Sequence, residues 1–329
     1  MGVVRPAVLS AGNVKLAVPE FFPSVSSVKT ALQPLEYIKL LAALEPIAAH
    51  FLVSAFDLAR LTGRDRDEVG AVLDRVTRAG RIVLMDSGNY ESYWTGAENT
   101  WQRMEFYGAL RQFSCTLAFG FDERRQSSKV IEHADLILDR QREDVAAANG
   151  IPIVPIVHAA PGALPGVCSG VAKGLSIGML AIPERRLGDG VLRRIETVAS
   201  IRRALNETGR YVGLHLLGTG NPLSLALFAL AGADSFDGLE WCQTVVDYRT
   251  AGLSHLSHAE FFSAQSRWAE ADIPPQLRVL AHNLEFFSDW IMRLRTALRN
   301  EAGIEFCRLN FPERIYSHCA SALGWEARL

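Results

Sequence analysis

Residues 211–242 read YVGLHLLGTGNPLSLALFALAGADSFDGLEWC, and this stretch decides the fold class. An apolar run (211–218) meets turn residues, a helical segment follows at 222–231, and a second apolar run (233–241) closes the unit. Apolar runs without alternation are what parallel strands buried on both faces require. The same unit recurs upstream. The other runs are EFFPSV (20–25), AHFLVSA (49–55), RIVLMD (81–86), SCTLAFGF (114–121), IPIVPIVHA (151–159) and GLSIGMLAI (174–182). Amphipathic segments at 29–44, 67–79, 128–148 and 189–207 lie between them. Eight such strands interleaved with helices predict a (β/α)8 barrel, with an open doubly wound sheet as the alternative.

Two regions exceed a bare barrel. Residues 1–19 read as a short hairpin turning at Gly12-Asn13. Residues 242–329 read as a mostly helical subdomain with an irregular, histidine-bearing stretch at 253–260, so the barrel core is placed at 1–241. Within the subdomain, Leu277, Leu280, Leu284, Phe287, Ile291 and Leu294 form the stripe of a core-facing helix.

Composition sets the outer bounds. With 49% hydrophobic and 21% charged residues the chain is globular in character, and a disordered tail protein is excluded. No run approaches the length of a membrane span, and the first residues lack the pattern of a secretory leader. Five widely spaced cysteines give no disulfide framework and suit a reducing cytoplasm. Cys115, Cys168, Cys307 and Cys319 read as structural. The formal charge of −2 neither demands nor excludes nucleic acid, because a local basic face suffices.

In a barrel, chemistry gathers where strands end. The third run ends in Asp86-Ser87-Gly88-Asn89-Tyr90-Glu91, and the fourth leads to Asp122-Glu123-Arg124-Arg125. The fifth reaches His158, the sixth Pro183-Glu184-Arg185-Arg186, and the seventh Gly218-Thr219-Gly220-Asn221. Each acid has a bland alternative as a helix cap or turn residue. Asp237 is harder to explain away, since a charge beside Phe236 and Leu239 is costly unless satisfied or working. Gly218-Thr219-Gly220 lacks the Lys of a phosphate loop and the third Gly of a dinucleotide fingerprint. Two carboxylates on one pocket permit glycosidic chemistry, one attacking the anomeric carbon and the other moving a proton.

Several motifs resemble those of the tRNA-guanine transglycosylase superfamily. Asp86-Ser87-Gly88-Asn89-Tyr90-Glu91 is similar to that family's Asp-Ser-Gly-Gly-Phe/Tyr-Gln. Leu217-Gly218-Thr219-Gly220-Asn221-Pro222 and Gly232-Ala233-Asp234-Ser235-Phe236-Asp237 resemble its Met-Gly-Val-Gly-x-Pro and Gly-x-Asp-Met-Phe-Asp. Phe22-Pro23, Val28-Lys29, Ala118-Phe119, Asp122-Glu123, Gly178-Met179-Leu180-Ala181 and His282-Asn283-Leu284 match in the same order. Glu91 and His158 stand where the tRNA enzymes have Gln, the Cys-x-Cys-x-x-Cys knuckle is missing, and no RNA-binding domain follows the barrel. With Ala181-Ile182-Pro183-Glu184-Arg185 and Phe236-Asp237-Gly238-Leu239-Glu240-Trp241-Cys242, these variants look more like the DNA branch, the DpdA-type DNA-guanine transglycosylases.

The resemblance implies replacement of guanine in DNA by a 7-deazaguanine such as 7-cyano-7-deazaguanine, without an organic cofactor and with partner proteins of a DNA-modification system. Asp237 would be the nucleophile and Asp86 the general acid/base. Asp122 would bind the guanine edge, His158 its carbonyl, and Tyr90 would stack. Ser87, Gly88, Gly178, Met179, Leu180 and Gly218 would line the base pocket. Arg124, Arg125, Lys129, Arg185 and Arg186 would meet phosphates, against a plain solvated-loop reading. Cys242, His255, His258 and His282 form a Cys/His3 set that would hold structural zinc, or else four unrelated side chains. A tRNA enzyme and a non-catalytic partner subunit are the competing classes; retention of both Asp86 and Asp237 weighs against the second.

Overall fold

A computed structural model describes residues 3–97, 99–122 and 127–325. The chain opens with an antiparallel hairpin, β1 (Val8–Ala11) and β2 (Val14–Ala17), turning through Gly12 and Asn13. Gly12 has φ +61°, a left-handed conformation that a side chain would strain. Eight parallel strands follow: β3 (Glu20–Val25), β4 (Phe51–Ser54), β5 (Val83–Asp86), β6 (Leu117–Phe119), β7 (Ile153–Val154), β8 (Met179–Pro183), β9 (Gly213–Leu217) and β10 (Ser235–Gly238). Their lateral order is β7-β6-β5-β4-β3-β10-β9-β8. The ends of that order meet. Val157 N–H donates to Ala181 O at 2.8 Å and Ala181 N–H to Pro155 O at 2.9 Å, closing a (β/α)8 barrel. Each of the eight apolar runs in the sequence holds one barrel strand.

The helices between strands are α1 (Pro34–Ala43), α2 (Ala55–Arg60), α3 (Gly63–Arg78), α4 (Asn89–Trp94) and α5 (Arg103–Gln112) in the first half. Then come α6 (Val130–Ala147), α7 (Leu164–Gly174), α8 (Val191–Asn206) and α9 (Pro222–Ala231). The N-terminal hairpin lies across the barrel end where strands begin. Gly12 N–H donates to Ile177 O, and a side chain at Gly213 would collide with Leu9 at 2.2 Å.

After β10 come α10 (Glu240–Gln243) and a second hairpin, β11 (Thr244–Asp247) and β12 (Gly252–His255). Helices predominate in this part, as the sequence predicts, and the paired strands at 244–255 are an addition to that reading. Short helical turns, including α11 (Ala259–Phe262), lead to α12 (Pro275–Arg299), α13 (Gly303–Asn310) and α14 (Glu313–Leu323). The α12 stripe packs on the barrel: Phe287 stacks on Phe21 of β3 at 4.6 Å, and Trp290 Nε1 donates to Pro222 O. Among the described residues no helix is long and apolar enough to cross a membrane.

Asp234 fastens the first turn of β10. It is wholly buried and accepts from Arg5 Nε (3.0 Å), Arg202 Nη2 (2.6 Å), Tyr211 Oη (2.5 Å) and Leu214 N (2.9 Å). Two guanidinium groups thus tie the N-terminal segment and α8 to the strand that carries Asp237 three residues later. Asp234→Ala leaves both cations without their partner, and such losses cost about 3–5 kcal/mol. Chemical denaturation of the variant should show a fall of that order; a change below about 1 kcal/mol would contradict the role.

Candidate active site

The strands' C-terminal ends enclose a cavity of about 330 Å³, at the lower end of the range for small-molecule sites. Asp86, Glu91, Asp122, Asp237 and Glu240 open into it, beside Tyr90, Arg185 and Gly218. Of the remaining residues expected here, several serve the site from behind or lie away from it.

Asp237, on β10, is buried and closely held. Ser24 Oγ donates to Oδ2 at 2.8 Å and Gly218 N–H to Oδ1 at 3.2 Å. His215 Nε2 lies 3.0 Å from Oδ1. The backbone agrees with this, since Thr219 N–H donates to Asp237 O at 2.6 Å and ties the two loop starts together.

Asp86 ends β5. Its carboxyl lies deep in the cavity, and burial, reinforced by Glu91, Asp122 and Asp237, pushes its pKa well above the usual carboxylate range. Only the Gly88 N–H, at 3.2 Å, supports the charged form. Burial thus favours the protonated form of Asp86 over its carboxylate. Ser87 and Gly88 shape this turn from behind. Trp101 Nε1 donates to Ser87 O, and Gly88 (φ +81°) packs so tightly on Phe56 that a Cβ would sit 2.4 Å from its Cβ.

Glu91 is buried and accepts from Ser26 Oγ (2.6 Å) and Ser54 Oγ (2.8 Å). Burial and the nearby Asp57 raise its pKa to about 7. Glu240 is likewise pushed up to about 7, by burial first and then by Glu184 and Asp237. Its carboxyl fills the space over two glycines: a Cβ at Gly220 or Gly238 would lie 2.0 or 2.4 Å from Glu240 Oε2. Asp122 Oδ1 sits 3.1 Å from His158 Nε2, and the buried Asp144 anchors the chain just before it by accepting from Phe121 N. His158 thus orients Asp122 and does not itself line the cavity. Tyr90 does, with its ring edge-on to Trp94.

Gly178, Met179 and Leu180 are not brought to the cavity. They start β8, at the hairpin-covered end, where Gly178 packs on Ser10 O; the strand reaches the mouth only at Pro183. Arg185 is exposed at the rim and Arg186 half-buried away from it. Arg124 and Arg125 lie outside the described residues. Lys129, at the N-cap of α6, pairs with Glu132 at 2.6 Å.

The four residues expected to hold zinc are engaged separately. The Cys242 thiol donates to Leu239 O, and His255 Nδ1 meets Ser257 Oγ. His258 faces Phe261, while His282 stacks on Tyr248 with Nε2 on Val246 O and its buried Nδ1 unpartnered. Among the described residues, no three His, Cys, Asp or Glu side chains form a group fit for a metal.

Sequence reasoning missed Ser24, Ser26, Ser54, His215 and Ser235. The available signal was a polar residue inside an otherwise apolar strand, most clearly His215 within GLHLL. Compared with family models and with curated proteins, the chain matches none.

Glu91 yields a pH-dependent prediction. Its folded pKa of about 7 exceeds the unfolded value of 4.5, so the fold carries the extra proton across that window. Its contribution is therefore complete below pH 4.5 and falls as pH rises towards 7. Glu91→Gln keeps partners for Ser26 and Ser54 but cannot ionise. It should match the wild type near pH 4.5 and exceed it at pH 8 by about 3 kcal/mol, at roughly 1.4 kcal/mol per pKa unit. Parallel stability curves across that range would refute the assignment.

Proposed function

We propose that the protein is a base-exchange transglycosylase that replaces guanine in DNA by a 7-deazaguanine, 7-cyano-7-deazaguanine being the expected base. One observation carries this reading: Asp86, whose protonated form is favoured by burial and opposed by a single N–H, and Asp237, held by donors on both oxygens, open into the same cavity. Acid and nucleophile with separated environments are what glycosidic exchange needs.

Asp237 attacks C1′ of the target nucleotide while Asp86 gives its proton to the departing guanine. The sugar is held as an aspartyl ester. Asp86, now a carboxylate, takes a proton from the incoming base as that base displaces Asp237. Because the ester conserves a reactive bond to C1′, no cofactor is required. The surrounding carboxyl groups favour the positive charge that builds on the sugar ring in both steps. Asp122, oriented by His158, suits the N–H donors on the edge of a guanine-like base. Tyr90 offers a face for stacking.

The base must leave the helical stack, at a cost of a few kcal/mol. Support for the strand would come from the rim. Arg185 is exposed there, and next to Tyr90 the exposed rings of Tyr93 and Trp94 meet edge-on, with Lys29 Nζ 3.5 Å above Trp94. Aromatic faces beside cations are suited to unpaired bases and their phosphates.

The test is exchange of labelled guanine, and of 7-cyano-7-deazaguanine, into DNA and tRNA offered together, read by nucleoside mass spectrometry. DNA should be modified. Modification of tRNA alone would overturn the nucleic-acid assignment, and no exchange into either would overturn the chemistry. Asp237→Asn should abolish exchange with the fold intact, and Asp86→Asn should slow it by about 10²–10⁴-fold. Wild-type rates in either variant would remove that residue from the mechanism. Replacing Arg185 by Ala should weaken DNA binding for all sequences and flatten its salt dependence by about one unit of slope. An unchanged slope would place the phosphates elsewhere.

A further inference from the structure

Behind the nucleophile lies a polar chain that ordinary strand packing does not explain. His215 is fully buried on β9, within a barrel interior that is otherwise largely apolar there, against Phe119 (ring centroids 4.6 Å) and Phe22 (6.3 Å). Its two ring nitrogens meet two oxygens: Nε2 faces Asp237 Oδ1 at 3.0 Å and Nδ1 faces Ser235 Oγ at 2.8 Å. The register fixes this geometry, because His215 and Ser235 are direct partners across β9 and β10. An isolated buried imidazole would be a costly way to fill a barrel layer. Here both nitrogens are satisfied, and both partners lie on the strand that carries the nucleophile.

We infer that His215 and Ser235 form a positioning pair that keeps Asp237 Oδ1 as a permanent acceptor and leaves Oδ2 as the attacking oxygen. This rests on the base-exchange reading above. A carboxylate oxygen can only accept, so Nε2 carries the hydrogen, and Nδ1 is then the acceptor for the Ser235 hydroxyl. Oδ1 receives two N–H groups, from His215 and Gly218, whereas Oδ2 receives the Ser24 hydroxyl alone. The less occupied oxygen retains a lone pair for C1′.

The consequences differ between the two half-reactions. In the first, an Oδ2 lone pair forms the bond to C1′, the C1′–N bond breaks, and its electron pair leaves on guanine with the Asp86 proton. Oδ1 becomes the carbonyl oxygen of the ester and keeps both N–H donors. In the second, the incoming base attacks C1′ and gives its proton to Asp86. The C1′–Oδ2 electron pair then returns to the carboxylate. The donors on Oδ1 meet charge as it reforms, so His215 favours departure of Asp237 more than its attack. The pair therefore sets how fast the covalent intermediate is released.

Two measurements on the full chain test this. The first is nitrogen-15 NMR of the imidazole rings, with the His215 signals identified by their loss in His215→Gln. A neutral ring protonated on Nε2 is expected; an Nδ1–H tautomer or a charged ring overturns the proposal, whether or not the protein exchanges bases. The second traps the covalent protein–DNA adduct in single-turnover experiments. His215→Gln should slow adduct breakdown by about 10- to 100-fold, so that adduct accumulates while KM for the base stays unchanged. Ser235→Ala, which removes one hydroxyl and keeps the fold if the buried histidine variant does not, should act in the same direction with a smaller effect. Equal slowing of adduct formation and breakdown, or unchanged partitioning in both variants, would reduce the pair to a structural role. Failure of the wild type to form any adduct with DNA or tRNA would instead count against base exchange itself, with the NMR result still deciding the tautomer.

Discussion

Like charges in a poorly solvated space repel, and among the described residues the barrel mouth gathers five carboxyl groups around one cavity. They cannot all ionise together, so each is given its own environment. Asp86 has little support for a charge, and burial raises its pKa. Glu91 sits between two serine hydroxyls, and Glu240 is folded over Gly220 and Gly238, where any side chain would displace it. Asp122 has His158, and Asp237 has Ser24, His215 and the Gly218 N–H. Much of the local sequence around the mouth serves this division. The glycines at 88, 220 and 238 are each fixed by a neighbour that leaves no room for a Cβ.

Fold and site were unequally legible in the sequence. The barrel could be read because a strand buried on both faces has to be continuously apolar, and each of the eight runs contains a barrel strand. The hairpin at 244–255 could not be read that way. Its strands are four residues each, half-buried in part, and paired only to one another, so they carry no continuous apolar signal. The acids at strand ends were visible for the complementary reason that a barrel places such residues at its mouth. What surrounds them was not. Ser24, Ser54 and His215 reach Asp237 and Glu91 across 213, 37 and 22 residues of chain, and only the pairing of β10 with β3 and β9 and of β4 with β5 makes them neighbours.

Motif matching and geometry diverge most at Gly178-Met179-Leu180. A match in sequence order carries no information on which end of a strand a residue occupies. Here the segment begins β8 and meets the N-terminal hairpin, while Pro183 and Arg185 of the same stretch reach the cavity. Asp234 makes the same point within one motif. It lies three residues before Asp237, yet it binds Arg5 and Arg202 in the packing between hairpin, helix and sheet. One acid of the motif builds the strand and the other faces the cavity.

A cavity of this charge also constrains what can enter it. Phosphates are disfavoured within, and a sugar ring gaining positive charge is favoured there. Among the described residues the cations near it stand outside: Arg185 is at the rim, and Lys29 lies over Trp94, whose ring meets that of Tyr90. That separation suits a ligand with a neutral base and a sugar at the reacting end and an anionic backbone trailing away. A free nucleotide would have to bring its own phosphate close to the carboxyl groups, whereas a nucleotide within a strand can leave its neighbours' phosphates on the rim. On the base-exchange reading proposed above, this arrangement of charge would favour a base presented by a polymer over the same base presented alone as a nucleotide.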